Sequence, residues 1–202
     1  MSARFADLKK VPKDPAARML ALANTKLQTK IKSPASAGVS DVLAELATVD
    51  AYVDMLRLIS VALPPRERTW WACLAGRDVL GPSPEKVPPT LAAAENWVRK
   101  PTDAAKAAVR AALDTVEVDD DTALCATAAI FADGTLGPGE LAHHAAPPGA
   151  AQAAAFGMNL MAIGTGTRDF AAEANRLIDR ALDIARGGNG KPAARGAAEG
   201  LS

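Results

Sequence analysis

Two adjacent prolines divide the most apolar part of the chain. Residues 40–80 contain two helical runs, VLAELATVDAYVDMLRLISVAL and RERTWWACLAGRDVL, joined at Leu63, Pro64 and Pro65. A proline lacks the backbone N–H and clashes inside a helix, but it fits the first turn of one. The sequence therefore predicts that one helix ends at Leu63 and that a second begins at the prolines.

The first run, residues 40–63, carries apolar side chains on almost every side. Its charged residues leave one narrow polar strip: Asp41, Glu45, Asp50, Asp54 and Arg57. A helix that is apolar nearly all round is normally buried. We therefore expect residues 40–63 to form the central helix, and we expect the helix after the prolines to end at Gly81.

The composition favours an all-α fold. Alanine, which has the best helix propensity, is the dominant residue, and β-branched or aromatic residues never alternate over a useful length. Apolar residues make up 49% of the 202 residues, which is enough for one well-buried core. Because the chain has no repeat of fixed period, we predict a compact irregular bundle of about seven or eight helices rather than a solenoid.

Breakers and caps divide the chain into three predicted parts. Residues 1–13 form a loosely docked arm, residues 14–188 a single helical domain, and residues 189–202 a disordered tail with little to bury. Besides the two runs described above, helices are predicted over residues 14–32, 90–100, 103–116, 122–132, 149–163 and 168–186, with Thr167 as the N-cap of the last.

Charge and targeting signals exclude several classes of protein. Lys and Arg number 23, as do Asp and Glu, so no basic surface for nucleic acid is expected. Residues 145–164 approach the length of a membrane span, but prolines and polar residues interrupt them, so no span is expected. The first residues lack the apolar segment of a secretory signal. We therefore predict a cytoplasmic protein.

Cysteines and histidines give no sign of chemistry. Cys73 and Cys125 lie far apart in apolar runs and are predicted to be buried thiols in a reducing compartment, although a disulfide stays open. His143 and His144 have no further ligand at metal spacing. The glycine run at residues 164–169 joins two helices, unlike a dinucleotide loop that follows a strand. No catalytic residue, metal or cofactor is predicted.

The paired tryptophans are the strongest candidates for a site. Arg66, Trp70 and Arg77 share one strip of their helix, whereas Trp71 lies on the next. Both strips cannot face the same core, so one tryptophan is predicted to be buried and the other partly exposed. Trp and Arg are enriched at binding hot spots, so Arg66, Trp70, Trp71 and Arg77 are predicted to bind a partner, together with the loop of residues 134–148. Core anchoring plus a local arginine contact is the structural alternative.

Three segments together resemble a known but uncharacterised family. LPPRERTWWACLAGRDVL, LAAAENWVRKPTDAAKAAVRAAL and TALCATAAIFADGTLGP, followed by the helical pair at residues 149–188, resemble a bacterial domain of unknown function found in small alanine-rich helical proteins. The order and spacing match over residues 14–188. The most specific matches are Arg66, Trp70, Trp71, Ala72, Trp97 and Val98.

The resemblance implies an accessory or scaffold role. Genes of that family often lie beside components of type VI secretion systems and forkhead-associated regulators. No catalytic residues carry over from the family. The chain departs from it after Gly134, where Glu140, His143 and His144 replace the usual Ser, Gly and Pro.

We therefore expect a soluble, cytoplasmic, all-helical interaction module that docks a protein partner within a secretion or signalling assembly. The sequence leaves two alternatives open. One is a small enzyme whose site is assembled from distant residues, and the other is a structural subunit that acts by self-association. Homo-oligomerisation therefore stays open at this point.

Overall fold

The computed structural model describes residues 3–165 and 169–191, and within these ranges the fold is all-α, as predicted. The α-helices of the described residues are α1 (Ala16–Leu22), α2 (Val39–Ala47), α3 (Tyr52–Ala62), α4 (Pro65–Leu80), α5 (Pro89–Arg99), α6 (Asp103–Asp114), α7 (Ala123–Ile130), α8 (Ala150–Gly164) and α9 (Phe170–Arg186). Their buried side chains form a continuous hydrophobic cluster from Phe5 to Ala185. None of these helices is long and apolar enough to cross a membrane.

The predicted central helix is two helices, which raises the count above the expected seven or eight. The break lies between Ala47 and Tyr52, where Asp50 adopts a left-handed conformation with φ of 52°. The N–H of Ala51 donates to the carbonyl of Leu46, and that of Asp50 donates to Ala47. This pattern is a Schellman motif, which ends a helix by satisfying its last carbonyls. The apolar periodicity continues across the break, so the sequence pattern predicted one uninterrupted helix.

The junction between α3 and α4 is built around a buried arginine, Arg68. Its Nε donates to the carbonyl of Ser60 at 2.5 Å, and its Nη2 donates to that of Leu63 at 2.7 Å and more weakly to Val61 at 3.4 Å. The last carbonyls of a helix have no intrahelical partner, and they carry the negative end of its dipole. The guanidinium of Arg68 therefore caps α3 from the first turn of α4.

Arg68 has no carboxylate among its hydrogen-bond partners in the described chain. Burial lowers its pKa to about 10, which still leaves the guanidinium charged at neutral pH. A buried charge is costly unless hydrogen bonds replace its hydration. The carbonyls at the end of α3 supply those bonds, so the cap and the charge depend on each other.

The α4 helix packs against α9 on one side and α7 on another. Trp71 is fully buried, and its Nε1 donates to the carbonyl of Leu177 in α9 at 3.1 Å. On the next turn, a Cβ added to Gly76 would lie 2.9 Å from the sulfur of Cys125 in α7. The small residue therefore lets α4 and α7 approach closely, while the indole fills the space between α4 and α9.

An ion-pair cluster also joins α4 to α9. Asp78 accepts from Arg176 at 2.8 Å and from Arg180 at 2.6 Å, and Arg176 also contacts Glu173. Burial alone would raise the pKa of Asp78, but the hydrogen bonds from the two arginines outweigh it and hold the pKa below its ordinary value. The charged form of Asp78 is therefore favoured by folding.

The segment before α2 is less helical than predicted. The expected helix over residues 14–32 ends at Leu22, because Asn24 is left-handed with φ of 47°. Buried Asp54 accepts the N–H groups of Gln28 and Thr29 at 2.9 and 2.7 Å. Glu45 likewise accepts hydrogen bonds from the N–H groups of Lys32 and Ser33. Carboxylates of α3 and α2 thus replace the hydrogen bonds that a helix would have made.

The predicted arm and tail both contact the body. Phe5 is buried, and Lys10 donates its N–H to the carbonyl of Ala185, so the arm is held more firmly than expected. Gly187 ends α9 in a left-handed conformation, and residues 189–191 still pack on the bundle. The rest of the predicted tail, residues 192–202, and the predicted cap Thr167 lie outside the described residues; Asp169 caps α9.

We predict that replacing Arg68 destabilises the protein because three carbonyls lose their donor. Arg68→Met should lower the free energy of unfolding by about 2 kcal/mol or more, measured by urea denaturation followed by circular dichroism. Arg18→Met, at an exposed arginine on α1, is the matched control and should change it by less than about 0.5 kcal/mol. Equal losses in the two variants would contradict the capping role.

We predict that Asp78 makes stability depend on acid pH. Its folded-state pKa is lowered, so its contribution is present above the unfolded value of about 3.9 and is lost as the pH falls through the folded value. Asp78→Asn should therefore lower stability at neutral pH and flatten the acid dependence. Asp114→Asn, an exposed control on α6, should retain the wild-type slope in denaturation measured across acid pH.

Candidate functional site

The structure separates the two tryptophans of α4 as the sequence predicted. Successive residues of a helix point about 100° apart, so the two rings face different surroundings. Trp71 is fully buried, whereas Trp70 is only partly buried. Trp71 therefore belongs to the core rather than to a surface, and Trp70 is the tryptophan that a partner can reach.

Trp70 lies in a surface groove of about 260 Å³ between α4, the end of α5 and the end of α9. Residues from widely separated parts of the sequence line the groove. They are Lys10, Arg66, Glu67, Trp70, Val98, Arg99, Ile184, Gly188 and Asn189. Its apolar part consists of the indole with Val98 and Ile184. The remaining lining is polar or charged, with more cations than anions.

One wall of the groove is the segment that follows α9. The indole Nε1 of Trp70 donates to the carbonyl of Asn189 at 2.7 Å, and Lys191 Nζ lies 5.8 Å from the centre of the ring. Gly190 is buried, and its N–H donates to Asp183 at 2.8 Å. A Cβ added to Gly190 would lie 2.8 Å from Ile184, so glycine allows the close approach. The wall is therefore held by specific contacts.

The basic side of the groove is formed by Arg66 and Arg99. Arg66 is exposed, and its Nε donates to the carbonyl of Val98 at 2.6 Å. That bond holds the side chain of Arg66 against the end of α5. The side chain of Arg99 is 70% exposed and lies 3.7 Å from Glu95, too far for a strong hydrogen bond.

Within the described part of the chain, Glu67 is the only carboxylate that lines the groove, and Lys10 pairs with it at 2.8 Å. An exposed pair of this kind contributes little to stability. It does, however, offset the charge of Glu67 at this end of the groove. Among the residues that the structure describes, Arg66 and Arg99 therefore give the lining of the groove an excess of positive charge.

Arg77, also predicted to bind a partner, lies outside the groove. Its Nε and Nη2 donate to the two carboxylate oxygens of Glu95, both at 2.7 Å. The hydrogen bond with Glu95 raises the pKa of Arg77, so the charge is firmly kept. Such a paired geometry makes Arg77 a link between α4 and α5. The structure thus brings together Arg66 and Trp70 but not Arg77 or Trp71.

The loop of residues 134–148 is held by α6 rather than by α4. Lys106 contacts Asp133 and Thr135, and Arg110 Nη2 donates to the carbonyl of Leu136 at 2.7 Å. Inside the loop, a short 3-10 helix spans Gly139–His143, and Thr135 forms an isolated antiparallel bridge with Ala145. None of these contacts involves Trp70, and no residue of the loop is among the described residues that line the groove.

The two cysteines are buried thiols, as predicted. Both are free and fully buried, and Cys125 Sγ lies 3.3 Å from the carbonyl of Ala72. A hydrogen bond with Cys125, together with burial, raises the pKa of Cys73 well above its usual value. A protonated thiol is a poor nucleophile. Within residues 3–165 and 169–191, no group of three or more His, Cys, Asp or Glu could hold a metal ion.

A second cavity of about 210 Å³ lies where the start of α5 meets the turn after α6. Thr90 contacts Asp120, and Asp120 also accepts from the N–H and hydroxyl of Thr122 at 2.8 and 2.7 Å. These bonds fix the turn that leads into α7. The cluster is explained by this local role, and the groove beside Trp70 remains the candidate site.

Sequence reasoning missed part of the groove. Val98 and Ile184 appear in the sequence as ordinary members of apolar helix faces, and Arg99 as one charge near a helix end. Asn189 and Gly190, which form one wall of the groove, follow directly after the glycines that end α9. Nothing in the sequence, however, relates these positions to Trp70, which lies more than a hundred residues earlier.

Comparison with known proteins gives a family but no activity. No curated protein and no solved structure matches the chain. A family model of unknown function, DUF6931, matches residues 42–185, which include α3 to α8 and most of α9. This range covers well over half of the chain and includes Arg66, Trp70 and Arg99. The chain therefore belongs to DUF6931, a family of unknown function.

Proposed function

We propose that the protein is a non-enzymatic helical interaction module that docks a protein partner in the groove beside Trp70. The observation that carries the proposal is the partly exposed indole of Trp70 beside Val98 and Ile184, with Arg66 and Arg99 at the edge. Protein interfaces have an apolar centre and a polar rim, and Trp and Arg are their most frequent hot-spot residues. The groove has both properties.

The size of the groove favours a protein partner over a small-molecule substrate. Sites for small molecules usually have volumes of about 300–1,000 Å³ and enclose most of the ligand. The groove has about 260 Å³ and is formed on the surface. Such a site is better suited to receive one or two side chains of a partner.

Two carboxylic acids whose pKa values are lowered, Asp54 and Asp78, support a structural rather than a catalytic interpretation. Burial would raise the pKa of Asp54, but hydrogen bonds from Thr29 and Gln28 hold it below its ordinary value. Asp78 is held low in the same way by arginines. Acids that act in catalysis commonly have their pKa raised toward neutrality. These carboxylates instead stay charged and hold the fold.

The biological setting of the proposal comes from the resemblance described above. An accessory or scaffold protein in the bacterial cytoplasm, working with a type VI secretion or signalling assembly, would need such a docking surface. A self-associating structural subunit is the second candidate, since a groove can also receive a second copy of the same chain. A small enzyme with a site assembled from distant residues remains the third.

We predict that changes in the groove abolish partner capture without unfolding the protein. Purified Trp70→Ala/Arg66→Glu protein, immobilised and exposed to a lysate of the native host, should lose tenfold or more of the partner signal measured by quantitative mass spectrometry. The matched control is Phe170→Ala/Arg18→Glu, which removes an exposed aromatic and an exposed arginine elsewhere.

Further measurements separate the docking module from the self-associating subunit. Both double variants should retain the helical circular-dichroism signal and a melting temperature close to that of the wild type. Equal capture by the groove variant and the wild type would contradict the proposal. Light scattering of the purified chain tests self-association directly: a dimer that the groove variant disrupts would favour the structural subunit instead.

A further inference from the structure

We infer that the groove beside Trp70 binds an acidic peptide segment of its partner, with an apolar side chain against the indole and carboxylates against Arg66 and Arg99. The inference rests on the proposed function and specifies the chemistry of the partner. It is carried by three features of the groove: an apolar surface, two available guanidinium groups, and, among the described residues, fewer carboxylates than cations in the lining.

The apolar surface accounts for one part of the ligand. Val98 and Ile184 line the groove but are only 7% and 1% exposed, because they pack into the core. The partly exposed ring of Trp70 therefore supplies most of the accessible apolar surface, and its Nε1 already donates to the carbonyl of Asn189. The ring therefore offers its face and edge rather than a hydrogen-bond donor. An aliphatic side chain meets these requirements, because it needs no polar partner.

The guanidinium groups of Arg66 and Arg99 account for the carboxylates of the proposed ligand. Arg66 uses its Nε for the carbonyl of Val98, and the described chain gives no hydrogen-bond partner to its two terminal nitrogens. Arg99 has only the 3.7 Å contact with Glu95, a carboxylate already occupied by both donors of Arg77. A guanidinium presents parallel donors that match the two oxygens of a carboxylate. Both arginines can therefore donate hydrogen bonds to a carboxylate of a partner.

The charge balance selects an acidic ligand. The groove is lined by Lys10, Arg66 and Arg99 against Glu67 alone, and Lys191 adds a further cation over the ring of Trp70. Lys10 already pairs with Glu67. An acidic segment is attracted by the remaining charges, whereas a basic segment is repelled. Nucleic acid is disfavoured because the chain as a whole carries 23 basic and 23 acidic residues, without the excess that phosphate binding normally requires.

Two matched peptides test the inference on the full chain. The probes are acetyl-Ser-Glu-Leu-Glu-Gly-amide and its neutral counterpart, acetyl-Ser-Gln-Leu-Gln-Gly-amide, each titrated to millimolar concentration into nitrogen-15-labelled protein. The readout is the indole N–H resonance of Trp70 in NMR spectra, assigned by its absence in Trp70→Phe. The buried indole of Trp71 is the internal control.

The acidic peptide should shift the Trp70 resonance and leave that of Trp71 unchanged. The neutral peptide should bind at least tenfold more weakly, and Arg66→Gln/Arg99→Gln should weaken binding of the acidic peptide to the same extent. Arg18→Gln, an exposed arginine on α1, should have no effect. Added salt should weaken binding of the acidic peptide, because the contacts are between charges near the surface.

Three results would overturn the inference: equal binding of the two peptides, no shift of Trp70 with either, or a shift caused instead by a short oligothymidylate. Failure here is distinguishable from failure of the proposed function. If the groove variant still loses its partner from the lysate while neither peptide binds, the groove docks a protein of other chemistry. If capture is also unaffected, the docking site itself is wrong.

Discussion

The capping of α3 by Arg68 is the interaction on which the rest of the structure depends. The chain must turn sharply at two prolines, and the turn leaves the last carbonyls of α3 without partners inside the protein. The guanidinium of Arg68 binds three of them from the first turn of the next helix. This fixes the position of α4 relative to α3, and α4 then carries Trp71 into the core and Asp78 to the arginines of α9.

The candidate site follows from the same placement of α4. Since Trp71 is committed to the core, the neighbouring Trp70 must lie on an adjacent face, where the end of α9 and residues 189–191 partly cover it. The exposed part of the ring lies between Val98 of α5 and Ile184 of α9. A buried core residue thus fixes the position of its neighbour, Trp70, which the proposed function places in the docking site. This is a favourable arrangement, because a preorganised side chain loses little conformational freedom when a partner docks.

Local sequence signals predicted the features that depend on a few neighbouring residues. The prolines marked the start of α4, the adjacent tryptophans required one exposed ring, and Gly187 ended α9. Features that depend on distant contacts were missed. Arg68 resembles any surface charge until the carbonyls of α3 are placed around it. The break at Asp50 interrupts an apolar pattern that continues on both sides, and the groove joins Trp70 to residues as distant in sequence as Asn189, 119 positions later.

The central claim, that a protein docks beside Trp70 in the cell, is tested most directly by site-specific photo-crosslinking. A photoreactive amino acid placed at Arg99, at the edge of the groove, is compared with one placed at Arg18, which is equally exposed but lies on α1. The account predicts a discrete crosslinked protein from position 99 that is absent from position 18 and is lost when Trp70→Ala is added. Identical crosslinking patterns from the two positions would contradict it.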